Sequence, residues 1–390
     1  MRSSREGAIV MIVRGLRRGF WLSSGAWLGA CAAFLCIVAG ARTALGDQPC
    51  TLDQATGTVI ARKPLVEDGY GSRWNAATNR VAFMQPNAAG FYRIITMRPD
   101  GTDRRDLTDG LAGFPPGHQG PVFWYPSGKY LLVAVEKPEW KDTRMFGIPD
   151  YGALPGWGCH DDLWLIAADG SRCWKLTDDP NTRFQGILMP VFSPNGRYIA
   201  WSQRLDRRVY ALKVAEFVDG PEPHLGSIRT YQPGGATYYE PGSFSSDSGS
   251  LLYTSDQDTP GFLESQIYRL DLATGACSRL THDYTYNEHP VAVSTPTGDW
   301  VVYMSTKGEK RRPGKLTLGT DWWAVRIDGT GAKRLTTMND GAPGDPEDFG
   351  QVLVACAIAP SPTGTYMLGD VQDSLVKQTG KVLVVSFTKP

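Results

Sequence analysis

The chain holds five histidines in 390 residues, and two of them stand beside groups with which they could do chemistry. His118 precedes Gln119 and His289 follows Glu288, each just ahead of a short apolar run, and Glu240 stands ahead of a third such run. Met189 and Gln351 take the same place before two others. Imidazole with carboxylate could hold a divalent cation, with His118, Glu240 and His289 as candidate ligands, or serve as acid and base toward a polyanionic or sugar ligand. A His beside a Glu where a strand begins also forms an ordinary structural hydrogen-bonding pair. Both readings stand at this point. His160, His224 and His282 carry no convincing partner by sequence.

A second set is aromatic. Trp140, Phe146, Tyr151 and Trp157 fall in one long segment, 136–162, and Tyr284 and Tyr286 fall in 282–288. Their faces could stack on sugars or peptides, or simply pack the loops onto the scaffold. Other chemistries are excluded by pattern. There is no G-x-S-x-G elbow, Walker loop, G-x-G-x-x-G, H-E-x-x-H or EF-hand loop. No catalytic residue is assigned. DPEDFG (345–350) reads as turn caps rather than a calcium loop. Seven cysteines include Cys31 and Cys36 in the N-terminal apolar run. The other five, Cys50, Cys159, Cys173, Cys277 and Cys356, lack metal spacing and allow two bridges at most, with pairing left open.

The elements that must position these groups are short strands. From about residue 70 the apolar residues come in brief runs cut by Gly, Asp, Asn and Pro, and 44 Gly with 27 Pro supply the turns. One unit is strand, small turn, strand: 73–85, 121–136, 190–203, 242–256, 290–306 and 357–371. Its turn residues Asn79, Gly128, Gly196, Gly249, Gly298 and Gly364 are spaced by 49, 68, 53, 49 and 66 residues. The other unit turns on Asp-Gly or Thr-Gly and ends in Leu-Thr, at 92–108, 162–177, 266–281 and 322–336, with looser copies elsewhere. Two hairpins per repeat make a four-stranded antiparallel blade, and a ring of blades buries faces that one sheet cannot. The expected fold is all-β, a six-bladed β-propeller over 70–390. The sixth blade lacks an outermost strand, which the segment 47–69, through TGTVIARKP (56–64), is expected to supply, closing the ring.

The run PVFSPNGRYIAWS (190–202), together with LWLIAADG (163–170) and the Leu-Thr ends, resembles the WD40-like repeats of TolB-type six-bladed propellers, and the resemblance spans nearly all of 70–388. It implies a periplasmic setting. TolB proteins also carry an α/β domain that binds Tol partners; only about 25 residues lie between the N-terminal signal and the first blade here, so no such domain is expected. Oligogalacturonate lyases resemble this propeller type and use channel histidines with a metal, but their motif has no residue-by-residue match in this chain.

The A–B and C–D turns are short, whereas nearly every long connection, such as 109–120, 136–162, 255–266, 305–321 and 337–351, falls on the opposite face. Long loops on a rigid scaffold are where binding residues sit. His118, Gln119, Glu240, Glu288 and His289 would line the channel mouth on that face. VDGPEPHLG (218–226) is the exception, on the other side.

The formal charge of zero conceals an asymmetry. Residues 1–46 hold six arginines and one glutamate, which leaves 34 basic and 39 acidic residues in the remainder. Arg17-Arg18 precedes the uncharged run 19–41, so 1–46 reads as an export signal, of Sec or twin-arginine type, or as an inner-membrane anchor. No basic patch supports nucleic-acid binding, and membrane contact would come only through that segment. The leading reading is an exported, periplasmic or extracellular propeller, non-catalytic, that binds an envelope protein or glycan through its long-loop face. The alternative is a metal-assisted polysaccharide lyase or hydrolase at the channel mouth. No cofactor is called for, apart from a divalent metal at that mouth.

Overall fold

The Asp-Gly pairs make tight turns for a local reason. Gly170 and Gly329 take φ of 76° and 86°, a region open to glycine at no steric cost. The preceding Asp caps the turn: Asp169 accepts from the backbone N–H and hydroxyl of Ser171 (2.9 and 2.6 Å), and Asp328 from those of Thr330 (2.9 and 2.7 Å). These bonds hold both carboxyls below the usual range. The Leu-Thr ends are equally specific. Leu280 and Leu335 are buried. The hydroxyls of Thr177, Thr281 and Thr336 accept the backbone N–H of Leu163, Ile267 and Trp322 at 2.9, 3.0 and 3.0 Å. Outer strands of only two or three residues thereby gain an extra rung.

The computed structural model describes residues 50–60, 64–138, 154–180, 182, 184–308, 319–339, 354–361, 364–372 and 380–388. They form an all-β propeller of four-stranded antiparallel blades, with one 3-10 turn at Phe262–Glu264. No helix among them is long and apolar enough to cross a membrane. The segment 1–46, read above as a signal or anchor, lies outside the described residues.

Four sheets are separate. One contains β6 (Gln119–Trp124), β7 (Tyr130–Glu136), β8 (Asp161–Ala167) and β9 (Cys173–Lys175). The next contains β10 (Gly186–Phe192), β11 (Tyr198–Asp206), β12 (Val209–Val218) and β13 (His224–Tyr231). A third has β14 (Tyr239–Phe244), β15 (Ser250–Ser255), β16 (Gln266–Asp271) and β17 (Cys277–Arg279), and a fourth β18 (Asn287–Thr295), β19 (Gly298–Ser305), β20 (Asp321–Arg326) and β21 (Lys333–Arg334). Six separate blades are expected from the repeats, and here the structure differs. The other eight strands form one hydrogen-bonded sheet: β22 (Val354–Pro360), β23 (Tyr366–Gln372), β24 (Gly380–Thr388), β2 (Val66–Asn75), β3 (Arg80–Pro86), β4 (Tyr92–Met97) and β5 (Arg105–Asp106), with β1 (Gly57–Ile60) paired to β24. The cause is the length of β2, which pairs with β24 through Val66 and Gly69 and with β3 from Tyr70 onward. The outer edge of β24 is thus shared by β1 and the start of β2.

The first strands pack on one another in a closed cycle: β2 on β6, then β10, β14, β18 and β22, which returns to β2. Each carries one residue more than its neighbour at the same height. The register shifts at Gly71-Ser72, Gly120-Pro121, Met189-Pro190, Gly242, His289-Pro290 and Cys356-Ala357. These are β-bulges, which bend a strand and re-aim side chains. Between the sheets lie large buried side chains such as Trp322, Tyr239, Tyr253 and Tyr303.

The two bulges that flank the candidate site lean on each other. A Cβ on Gly242 would overlap the carbonyl oxygen of Pro290, and Ala292 N–H donates to Ser243 Oγ at 2.9 Å. Gly242→Ala is therefore expected to cost about 1–3 kcal/mol by overpacking, read as a lowered midpoint in denaturant unfolding. Gly220→Ala, where a Cβ meets nothing within 4 Å, is expected to leave the midpoint in place.

Candidate functional site

Side chains from two neighbouring sheets converge at the bulges. Glu240 lies on β14 and Glu288 with His289 on β18, and one ligand atom from each falls within 4.8 Å of the others. Glu240 and Glu288 occupy equivalent places: Glu240 pairs with Thr254 and Glu288 with Met304, one rung before the bulge opposite Tyr253 or Tyr303. His289 sits in its bulge with φ of 56°, a costly conformation for a non-glycine residue. That turn brings Nε2 to 3.1 Å from Glu240 Oε1 and 3.8 Å from Glu288 Oε2.

Two tyrosines hold the carboxylates. Tyr238 OH donates to Glu240 Oε2 and lies 3.1 Å from Glu288 Oε1, and Tyr286 OH donates to Glu288 Oε2. Phe262 packs edge-on or tilted against both rings, at 5.0 Å from Tyr238 and 5.2 Å from Tyr286, and Tyr210 meets Tyr238 at 5.2 Å. The loops that bring these rings are tied together. Asn287 N–H donates to Ser265 O at 3.0 Å, and Gln266 Nε2 to Thr285 O at 2.8 Å. On the same loops, Leu263 and Tyr284 are 55% and 68% exposed.

The electrostatics follow from burial. Burial pushes the Glu288 carboxyl up to about 7; His289 pulls against it, Glu240 adds to it, and the tyrosine hydroxyls oppose it. For His289 burial acts downward, yet Glu288 and Glu240 outweigh it and Arg73 only partly offsets them, so the imidazole is raised. Tyr238 is pushed far up, first by burial and then by the two carboxylates. Arg73 is held with its guanidinium 4.2 Å from the Phe123 ring centre. A carboxyl pushed up by burial beside an imidazole pushed up by its carboxylate neighbours can exchange a proton with it, and the same three donors could ligate a cation.

The structure brings together Glu240, Glu288 and His289 and leaves His118 out of that cluster. His118 precedes Gln119, and it is Gln119, paired with Val135, that matches Glu288 in register. His118 is therefore one step out of phase, and a one-residue step turns a side chain to the other face. Its ring packs 5.1 Å from Phe91 and 5.8 Å from Tyr92, and Nδ1 accepts Tyr92 N–H at 3.4 Å. Gln119 is buried and donates to Pro115 O at 3.3 Å. Met189 takes the bulge place of His289, with φ of 43°.

Among the aromatics, Trp140, Phe146 and Tyr151, like Gln351, lie outside the described residues. Trp157 is half-buried and its carbonyl accepts from Arg204 Nη1 at 3.3 Å. Tyr284 presents its ring to solvent, but Tyr286 is buried, with its hydroxyl on Glu288 rather than its face free for stacking. The exceptional loop 218–226 is structural in its contacts: Asp219 binds Lys129 and Tyr130, and Glu222 binds Arg172 and Trp174. Cys159 and Cys173 do not pair. Arg204 Nη1 lies 2.6 Å from the Cys159 sulfur, and Cys173 Sγ lies 3.5 Å from Ala112 O. Sequence reasoning missed Tyr238, Phe262, Tyr210 and Arg73. A signal for the first existed, because Tyr238-Tyr239-Glu240 repeats as Tyr286-Asn287-Glu288, and residues two apart on extended chain share a face.

No family profile matches the sequence. Over 155 residues the chain is 28% identical to Tricorn protease homolog 1 of Streptomyces coelicolor, covering 38% of this chain and 13% of that protein. Over 206 residues it is 26% identical to an uncharacterized protein of Agrobacterium fabrum, covering 50% of this chain and 61% of that one. The chain thus spans less than two thirds of either relative. Similar solved structures include TolB from Acinetobacter baumannii, with a TM-score of 0.47 and 15% identity over 81% of this chain and 66% of that one.

The raised Glu288 gives a pH dependence of definite sign. With the folded value near 7 above an unfolded value of about 4.3, the folded chain holds this proton more tightly. The resulting stability is fully present below about pH 4.3 and is lost as pH rises through about 7. Glu288→Gln removes that titration. Its melting temperature relative to wild type is expected to climb between pH 4.5 and 7.5, and a difference that stays flat with pH contradicts the assignment.

Proposed function

We propose that the chain is an exported β-propeller of six blades that binds an envelope protein or glycan, without catalysis, through the face at which its inner strands begin. The six-blade count is supported by the closed cycle of six bulged first strands, with the eight-stranded sheet holding the first and last blades. Export to the periplasm or beyond is supported by Arg17-Arg18 and the apolar run after it.

One observation carries the binding reading. Leu263 and Tyr284 stand exposed on two loops pinned to each other, the first next in the chain to Phe262 and the second two residues before Tyr286, whose rings pack together at the buried carboxylate cluster. Large apolar side chains at a polar, preorganised mouth supply contact area for a partner, and the loops cost little to order because they are already tied down. A second reading, metal-assisted cleavage of a polysaccharide at the same mouth, draws on the convergence of Glu240, Glu288 and His289. Turnover of a polysaccharide that is abolished in His289→Ala would establish it.

The purified chain is expected to retain a saturable partner from envelope extracts or from a panel of envelope glycans. Leu263→Asp with Tyr284→Ala should weaken that retention about tenfold or more while leaving the melting temperature unchanged. Retention that is indifferent to both substitutions, or absent altogether, overturns the reading.

A further inference from the structure

We propose that Glu240, Glu288 and His289 bind one divalent cation of the manganese-to-zinc series. The inference rests on neither reading of the function above, since an ion could be held here with or without a macromolecular partner.

The spacing is close to that of a coordination sphere, with Glu288 slightly too far from the imidazole. Metal bonds of about 2.1 Å set at tetrahedral or octahedral angles leave neighbouring donor atoms about 3.0–3.4 Å apart. His289 Nε2 lies 3.1 Å from Glu240 Oε1 and 3.8 Å from Glu288 Oε2. A second observation concerns Glu240. It is only 4% exposed, and its Oε1 meets His289 Nε2 at 3.1 Å without a well-aligned hydrogen bond from any described residue. Buried carboxylate oxygens are nearly always satisfied. That oxygen faces the histidine, whose own Nδ1 also lacks a hydrogen bond among the described residues.

The surrounding groups behave as supports. Tyr238 and Tyr286 donate to the other carboxylate oxygens, which fixes their orientation as outer hydrogen bonds do around bound metals. His289 and Glu240 ride on rigid strands whose bulges are in backbone contact at Gly242 and Pro290, and sites built on such elements keep their geometry. Two carboxylates in a buried place also leave excess negative charge that a cation offsets. Arg73 adds positive charge nearby, but Asp370 acts on it in turn. One imidazole with two carboxylates suits Mn²⁺ or Zn²⁺ and leaves positions open for water or ligand. Ca²⁺, which takes six or more oxygens, is a poor match.

The test is a calorimetric titration of chelator-treated full-length protein with MnCl₂, ZnCl₂ and CaCl₂ in turn. One equivalent of Mn²⁺ or Zn²⁺ is expected to bind, with Ca²⁺ at least about tenfold weaker. The isosteric Glu240→Gln, and His289→Ala, should weaken binding about 100-fold or more, while His224→Ala, at an exposed histidine on β13, leaves it unchanged. Anomalous scattering from a zinc-soaked wild-type crystal is expected to show a peak bonded to all three side chains, which keeps the test decisive even if a variant misfolds. No saturable binding, binding indifferent to Glu240→Gln and His289→Ala, or a zinc peak elsewhere overturns the proposal.

Discussion

The inner strands carry one more residue than the strands they pair with, and the place where each absorbs the excess governs what the sheets present to one another. A strand in regular pairing sends alternate side chains to opposite faces. A bulge breaks that alternation once and bends the chain. In β18 the break falls at His289-Pro290 and in β14 at Gly242. Proline is tolerated where the ladder has no use for its missing N–H, and glycine is required where a neighbouring carbonyl comes too close for a Cβ. The consequence is that residues 48 or more positions apart in the chain, Glu240 and Glu288 with His289, meet across a sheet boundary.

Bringing two carboxylates together out of water is unfavourable unless something compensates them. The imidazole of His289 and the hydroxyls of Tyr238 and Tyr286 do most of this, and the upward shift of Glu288 reports what remains. The tyrosines are themselves fixed by ring contacts with Phe262, edge-to-face for Tyr238 and tilted for Tyr286, and Tyr238 also by edge-to-face contact with Tyr210. Such aromatic contacts add to area burial. The polar cluster and its aromatic collar are thus one unit, and the loops bearing Leu263 and Tyr284 inherit their position from it.

How much of this was legible in the sequence depends on range. Asp-Gly turns and Leu-Thr ends are governed by bonds between residues close in sequence or across one hairpin, such as Asp169 with Ser171 and Thr281 with Ile267, and a repeat pattern exposes them. Glu240, Glu288 and His289 could be picked out for the same reason, since each stands just before an apolar run. The position of the bulge could not be read, and it decides phase: His118 looked equivalent to His289, but Gly120 fills that bulge place, and His118, two residues before it, faces Phe91 and Tyr92. The fusion of eight strands into one sheet was hidden too, because it depends on β2 outrunning its hairpin partner and reaching β24.

The central claim is that Glu240 and His289, contributed by different sheets, act as one electrostatic unit. NMR titration of the His289 imidazole in wild type and in Glu240→Gln tests it most directly. The account requires the imidazole to titrate above an ordinary histidine in the wild type and to fall toward or below that value when the Glu240 charge is removed. A His289 titration that is unshifted in the wild type, or unmoved by the substitution, would contradict it.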